Sequence, residues 1–171
     1  RCVFRRRDCC RGAAGAAPEH QGRRQRRSAD AVAAMDAARR AGALILEFYE
    51  GDYDVRDKNL SGPDGASGAK SLRDADYDPV TSADRADDNG LRHDLRQAFP
   101  EYGWLSEETV DDAVRLQQET VWIVDPIDGT KEFLTGIPEF VVSIALVADG
   151  VPVLGVIYNP SRDELYGAVR G

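Results

Sequence analysis

Apolar residues recur at helical spacing between Ser28 and Gly51. Side chains three or four positions apart lie on one face of an α-helix, so this segment predicts a long helix that packs against a core. Ser28 or Asp30 can cap its beginning, and Gly51 can end it. The predicted core positions are Val32, Met35, Ala38, Gly42, Ile45 and Phe48.

A second helix is predicted from about Ser82 to Phe99. Thr81 and Asp84 stand three residues apart, which is the spacing of a capping box at a helix start. Pro100 would end the helix, because proline cannot continue the hydrogen-bond ladder. The apolar face of this helix would consist of Leu91, Leu95 and Phe99.

Apolar runs after the second helix predict a series of β-strands. Asp149-Gly150, between two of the longer runs, is a strong signal for a hairpin turn. Two helices, short strands and then a largely antiparallel meander predict an α+β protein rather than alternating βαβ units. The runs are Trp104–Ser106, Val121–Val124, Phe140–Ala148, Val151–Tyr158 and Glu164–Val169.

Charge is divided unevenly along the chain. Residues 1–27 contain nine Arg and two acidic residues, whereas the remainder contains 13 basic and 28 acidic residues. This leader has few apolar residues and no regular period, so we expect it to be disordered. A targeting segment, a nucleic-acid-binding arm and a non-native start are its alternatives. The acidic body disfavours non-specific nucleic-acid binding and offers surplus carboxylates to divalent cations.

Cysteine usage and hydropathy indicate the surroundings of the protein. All cysteines lie in the leader, at Cys2, Cys9 and Cys10, so the body cannot form a disulfide. This predicts a reducing compartment, with the cytoplasm as the default. No apolar run approaches the roughly 18 residues of a membrane span, so we expect a soluble protein. Asn59–Asp76 is rich in Gly, Ser and Asp and predicts a mobile surface loop.

The segment WIVDPIDGTKEF, residues 122–133, carries the strongest chemical signal. A buried strand would deliver Asp125 at its end, and Asp128 follows three residues later. Two carboxylates on a rigid corner can face one cation site. Gly129 permits close backbone approach, and a helix beginning at Thr130 would direct free N–H groups at a phosphate.

Two further acidic groups lie at the ends of other predicted elements. Glu107 and Glu108 in LSEE come directly after a short strand, and Asp84 in DPVTSAD lies in the first turn of the second helix. Each motif alone is weak, because D-P-x-D-G is common in solvated turns and acids are favoured at helix starts. Convergence of all three would bring like charges together, and compensation by Mg²⁺ would then be expected.

In this order, DPVTSAD, LSEE and WIVDPIDGTKEF resemble the inositol monophosphatase superfamily, from about Ala31 to Gly171. The ending Lys131-Glu132-Phe133 is similar to the 3'(2'),5'-bisphosphate nucleotidase branch, whereas inositol monophosphatases usually show Thr-Asn-Phe there. The resemblance implies a layered α-β-α-β-α sugar-phosphatase fold. Residues 28–171 would be its N-terminal metal-binding domain, with residues 1–27 as a separate leader.

The resemblance also implies individual roles. The implied metal ligands are Glu107, Asp125, the carbonyl oxygen of Ile127, and Asp128. Asp84 and Thr130 would orient and deprotonate the attacking water, with Glu107 completing the catalytic set. The implied substrate-contacting positions are Glu107, Ile127, Asp128, Gly129 and Thr130. A lysine that precedes DPVT in the family would be Lys58 or, alternatively, Lys70.

The implied activity is hydrolysis of a small phosphomonoester, with two or three Mg²⁺ ions and inhibition by Li⁺. Adenosine 3',5'-bisphosphate, a by-product of sulfur assimilation, is the expected substrate, and AMP and phosphate are the expected products. Inositol 1-phosphate and fructose 1,6-bisphosphate are alternatives, as is a non-catalytic relative. Family members continue with a second half that completes the second metal site, so we expect this chain alone to be inactive or very weak. A homodimer is left open.

Overall fold

The structure, a computed structural model, describes residues 2–4, 18–49, 51–52, 54–57 and 79–170. Its helices are α1 (Pro18–Tyr49), α2 (Ser82–Ala98) and α3 (Thr130–Leu134), with a 3₁₀ helix at Ala113–Gln117. Its strands are β1 (Cys2–Phe4), β2 (Val55–Asp57), β3 (Pro79–Thr81), β4 (Gly103–Ser106), β5 (Thr120–Asp128), β6 (Val141–Ala148), β7 (Val151–Asn159) and β8 (Glu164–Val169).

A six-stranded mixed sheet organises the described part of the chain, in the order β1-β8-β7-β6-β5-β4. Strands β4 and β5 are parallel, and the other neighbours in this sheet are antiparallel. Strands β2 and β3 form a separate antiparallel pair. The predicted meander and the predicted α+β class are both confirmed.

Helix α1 begins at Pro18, well before the predicted start at Ser28. The preceding strand β1 pairs with β8. These two segments therefore have regular structure where disorder was predicted, while residue 1 and residues 5–17 lie outside the described part. Arg and Gln favour helix, and proline is tolerated in the first turn. A polar segment can therefore extend the N-terminus of a helix whose later residues pack against the core.

The buried face of α1 consists mainly of alanines rather than of its largest apolar residues. Val32, a predicted core residue, is 53% exposed. Ala38 and Ile45 are fully buried, and Met35 and Phe48 pack at the margin of the core. Small side chains allow the helix axis to approach the sheet closely, which hydrophobicity alone does not indicate. The fully or almost fully buried stripe is Ala31, Ala34, Ala37, Ala38, Ala41 and Ile45.

Helix α2 follows the prediction closely. Thr81 is its N-cap and forms a capping box with Asp84. Leu91 and Leu95 are each 1% exposed and join the core between the helices and the sheet. Alternate residues of β5 and β6, among them Trp122 and Ile144, enter the same core.

Residues 58–78 lie outside the described part, and with them the predicted loop Asn59–Asp76 and both candidate lysines, Lys58 and Lys70. Among the residues that are described, no helix combines the length and apolarity needed to cross a membrane.

Candidate active site

Asp125 and Asp128 lie at the irregular C-terminal end of strand β5. The strand was predicted to end at Asp125, but it continues to Asp128. Its pairing with β6 is regular as far as Asp125↔Ser143 and resumes, out of register, at Asp128↔Val141. Pro126 has no N–H to donate, so an interruption is expected there. The interruption forms the corner on which both carboxylates stand.

Gly129 fixes the sharp change of direction from β5 into α3. Its φ of +102° lies in the region that favours glycine. A Cβ atom added here would lie 2.9 Å from the carbonyl oxygen of Glu139 and 3.2 Å from the Cα of Phe140. Its own carbonyl accepts a 2.9 Å hydrogen bond from the N–H of Phe133, which closes the first turn of α3. The predicted helix start at Thr130 is confirmed.

Parallel pairing of β4 with β5 brings Glu107 to the same corner. Ser106 is aligned with Val124 in this pairing. Directly after β4, the N–H of Glu107 donates to the carbonyl oxygen of Val124 at 3.2 Å, so Glu107 continues the hydrogen-bond ladder. Because the carboxyl ends of parallel strands meet at one edge, Glu107 and Asp125 emerge side by side.

A cavity of about 210 Å³ collects the residues that the sequence singled out. Lys131 is the cationic side chain in its lining among the described residues, against several carboxylates. The second glutamate of LSEE, Glu108, does not line it. The lining residues are Pro79, Glu107, Asp125, Ile127, Asp128, Gly129, Thr130, Lys131 and Glu132.

Asp84 reaches this corner through Thr130. The Thr130 hydroxyl lies 3.2 Å from Oδ1 of Asp84 and 3.0 Å from the carbonyl oxygen of Ile127. A hydroxyl has one hydrogen, so it donates to one of these acceptors at a time. Oδ2 of Asp84 accepts from the backbone N–H of Thr81 at 2.7 Å and from the Thr81 hydroxyl. The capping box therefore orients Asp84 towards the corner.

The environment of Asp84 acts on its pKa in two opposed ways. Asp84 is 1% exposed, and this burial raises the pKa of its carboxyl above the ordinary value. Hydrogen bonds from Thr81 and Thr130 stabilise the charged form and work against that rise. The carboxyl is thus shielded from water and held by hydrogen-bond donors.

Two further aspartates of α2 were missed from the sequence. Asp87 and Asp88 are 1% and 2% exposed. Burial and the neighbouring acids raise the pKa of Asp87 to about 8. Burial also raises the pKa of Asp88, which a hydrogen bond with Ser106 opposes. The sequence did carry a signal for this burial. Asp87 and Asp88 follow Asp84 by three and four residues, so they lie on the side of the helix that carries the core residue Leu91.

The donor set of the cavity matches the chemistry of a hard divalent cation. Glu107, Asp125 and Asp128 offer carboxylate oxygens, and Ile127 lies between the two aspartates. Oxygen donors of this kind suit Mg²⁺ rather than zinc. Within the described residues, no three Asp, Glu, His or Cys side chains converge closely enough to form a metal cluster. The fit is therefore one of donor chemistry.

A larger groove of about 450 Å³ lies away from these residues. It runs beside the 3₁₀ helix and is lined by Leu105, Val121 and Ile123 among others. None of the predicted site residues contributes to it. The smaller cavity is the candidate site because it holds the carboxylates and the hydroxyl.

Comparison with known proteins gives consistent matches. Residues 27–171 match the model of the inositol monophosphatase family. The chain is 38% identical over 135 residues to the 3'(2'),5'-bisphosphate nucleotidase CysQ of Escherichia coli O157:H7, covering 78% of this chain and 49% of CysQ. It is 35% identical over 141 residues to inositol monophosphatase 2 of Solanum lycopersicum, covering 81% of this chain and 47% of that protein.

A solved structure agrees with the sequence matches. The crystal structure of extragenic suppressor protein SuhB from Bartonella henselae superposes with a TM-score of 0.66 at 38% identity, over 81% of this chain and 48% of that one. The chain spans about half the length of the curated relatives it matches. Since the family model covers most of the chain and the fold agrees with SuhB, this chain belongs to the inositol monophosphatase family.

Proposed function

We propose that this chain forms the metal-binding half of a Mg²⁺-dependent phosphomonoesterase. The observation that carries the proposal is the single cavity lined by Glu107, Asp125, Asp128 and Thr130. Thr130 in turn lies within hydrogen-bond distance of the buried Asp84. Carboxylates that could hold a cation and a buried proton acceptor thus occur side by side, as phosphate ester hydrolysis requires.

Four groups of the cavity would hold Mg²⁺. They are the carboxylates of Glu107, Asp125 and Asp128 and the carbonyl oxygen of Ile127, all placed at the ends of β4 and β5. When bound, Mg²⁺ would neutralise phosphate charge and lower the pKa of water at the site. The pairing of β4 with β5 would hold Glu107 and Asp125 beside each other for this role.

Asp84 and Thr130 would move the proton. The Thr130 hydroxyl would pass its proton to Oδ1 of Asp84, 3.2 Å away, and accept one from the attacking water. Water oxygen would form a bond to phosphorus in line with the ester oxygen, whose bond to phosphorus breaks. The ester oxygen would leave with a proton from solvent. Gly129 and Thr130, on the first turn of α3, would present backbone N–H groups to the phosphate.

The preferred substrate of this proposal is adenosine 3',5'-bisphosphate, which would lose its 3'-phosphate to give AMP. The support is the named nucleotidase CysQ among the relatives and the Lys131-Glu132-Phe133 ending of the corner. Inositol 1-phosphate is the second candidate, because a named inositol monophosphatase is almost as similar. Recycling of a sulfur-assimilation by-product would be the role under the first candidate.

Phosphate release by the complete open reading frame that contains this chain tests the proposal. Adenosine 3',5'-bisphosphate and inositol 1-phosphate should be compared with Mg²⁺, with EDTA, and with Li⁺ added. We expect Mg²⁺-dependent release that Li⁺ inhibits and that Asp125→Asn reduces by at least about a hundredfold, the scale on which metal-site changes act. Glu164→Gln, an exposed acid on β8, is the matched control.

The two substrates decide between the candidates. Faster phosphate release from the nucleotide supports a bisphosphate nucleotidase. Faster release from inositol 1-phosphate supports an inositol monophosphatase with the same proposed site. Equal release by the wild type and by Asp125→Asn contradicts the proposed site. No release from either substrate by the folded wild type contradicts the proposed activity.

A further inference from the structure

Helix α2 buries three aspartates on one side of its first two turns. Asp84, Asp87 and Asp88 are each no more than 2% exposed. Aspartate is rarely buried to this degree unless it is paired, because transfer of a charged carboxylate from water is costly. The proposed phosphatase chemistry gives a role to Asp84, but it does not explain why Asp87 and Asp88 are buried.

The three carboxyls differ in their hydrogen-bond partners. Asp84 accepts from Thr81 and from Thr130. Asp88 shares a hydrogen bond with Ser106 and lies near Arg92. Both oxygens of Asp87 are buried with no hydrogen-bond partner. One helix face thus holds two carboxyls with partners and one, between them in sequence, without any.

The charges that act on Asp87 are of one sign. They come from Asp84 and Asp88, and among the described residues no cation of α1, β3 or β5 opposes them. An ionised Asp87 would be desolvated, lack donors and face two other acids. A neutral carboxyl avoids the desolvation of a charge and the repulsion.

We propose that Asp87 keeps its proton in the folded chain at neutral pH, so that Asp84 and Asp87 together hold a single negative charge, located on Asp84. Asp87 is then a positioning residue: it does not contact substrate, and it leaves Asp84 as the charged acceptor for the Thr130 hydroxyl. Two acids whose environments separate their titrations can divide such roles. The protonation of Asp87 stands on the fold alone, whereas its effect on Asp84 rests on the proposed function.

Ionisation of Asp87 would be linked to stability with a definite sign. Its pKa in the folded chain is raised to about 8, above the ordinary value of 3.8. The folded state therefore holds one more proton than the unfolded state between these two values. Stability from this group is greatest below the ordinary value, falls as pH rises towards 8, and levels off above that.

Carboxyl ¹³C NMR of the chain labelled at aspartate tests the protonation directly. We expect one aspartate resonance to titrate with a midpoint near 8. Asp87→Asn should remove that resonance. Asp94→Asn, which removes a surface acid of the same helix that pairs with Arg40, should leave it in place. If Asp87→Asn does not fold, the wild-type titration still decides.

Urea unfolding from about pH 5 to pH 9 provides the second readout. The wild type and Asp94→Asn should lose stability as pH rises through this range, and Asp87→Asn should lose less of it. A resonance assigned to Asp87 that titrates in the ordinary aspartate range, or the same pH dependence in Asp87→Asn and wild type, overturns the proposal. Failure of phosphate release with the expected Asp87 titration would overturn only the proposed function.

Discussion

Gly129 is the residue on which the geometry of the corner depends most. It combines a φ of +102° with backbone of Glu139 and Phe140 close to the position of its missing Cβ. Any L side chain here meets both strain and overlap. Because Asp128 and Thr130 flank this residue, a shift of its backbone would move two proposed site residues at once.

Gly129→Ala should therefore destabilise the chain by about 2–4 kcal/mol, the combined scale of a left-handed alanine and an overpacked contact. Gly150→Ala is the matched control, because Gly150 has a φ of +73° but nothing within 4 Å of an added Cβ. It should lose only about 1–2 kcal/mol. Urea unfolding measures both changes. Equal losses would show that the close approach at Gly129 has no consequence.

At the residue scale, the sequence motifs single out residues that the fold brings to one cavity. Glu107, Asp125, Asp128 and Thr130 line one cavity because their motifs follow strands that end at one edge of the sheet. The burial of Asp87 was indicated only by its helical spacing from Leu91, and an acid at a helical position usually faces solvent. Only the packing of α2 against α1 and the sheet removes that position from water.

Among the elements, α1 shows how small residues decide packing. Gly42 is buried where α1 crosses β7, and an added Cβ would lie 2.4 Å from the ring of Tyr158. This close crossing explains why the buried face is rich in alanine. Hydrophobic periodicity predicted the helix but misplaced its core at Val32, because periodicity does not report how near two elements approach.

Gly42→Ala should destabilise the chain by about 1–3 kcal/mol through overpacking. Gly90→Ala in α2 should instead stabilise it by about 0.5–1 kcal/mol, because Gly90 has nothing within 4 Å of an added Cβ and alanine favours helix. Thermal and urea unfolding of the two variants check the signs. Stabilisation by Gly42→Ala would contradict the close crossing of α1 and β7.

On the scale of the whole molecule, the two faces of the central sheet differ. One face joins the core with the helices, and the alternate residues on the other face remain partly exposed. Leu105 pairs with Ile123, and Ile123 with Ala145, so apolar residues adjoin across strands. Ile123 is 38% and Ile157 is 47% exposed. Apolar surface of this kind binds apolar probes.

The double substitution Ile123→Thr and Ile157→Thr should lower the fluorescence of bound ANS while changing stability little, because threonine keeps the β-branched shape. Val110→Thr is the control, since Val110 is 98% exposed and lies outside the sheet. It should leave ANS binding unchanged. Unchanged ANS fluorescence in the double variant would contradict an accessible apolar sheet face.

The central claim, that Glu107, Asp125 and Asp128 form one cation site, is tested most directly by Mn²⁺ as a paramagnetic probe in ¹H–¹⁵N NMR spectra of the chain. Broadening should centre on the amides of Glu107, Asp125 and residues 128–130, and excess Mg²⁺ should reverse it. Asp125→Asn should abolish the broadening, and Glu164→Gln should retain it. Broadening that centres elsewhere, or that survives unchanged in Asp125→Asn, would contradict the account.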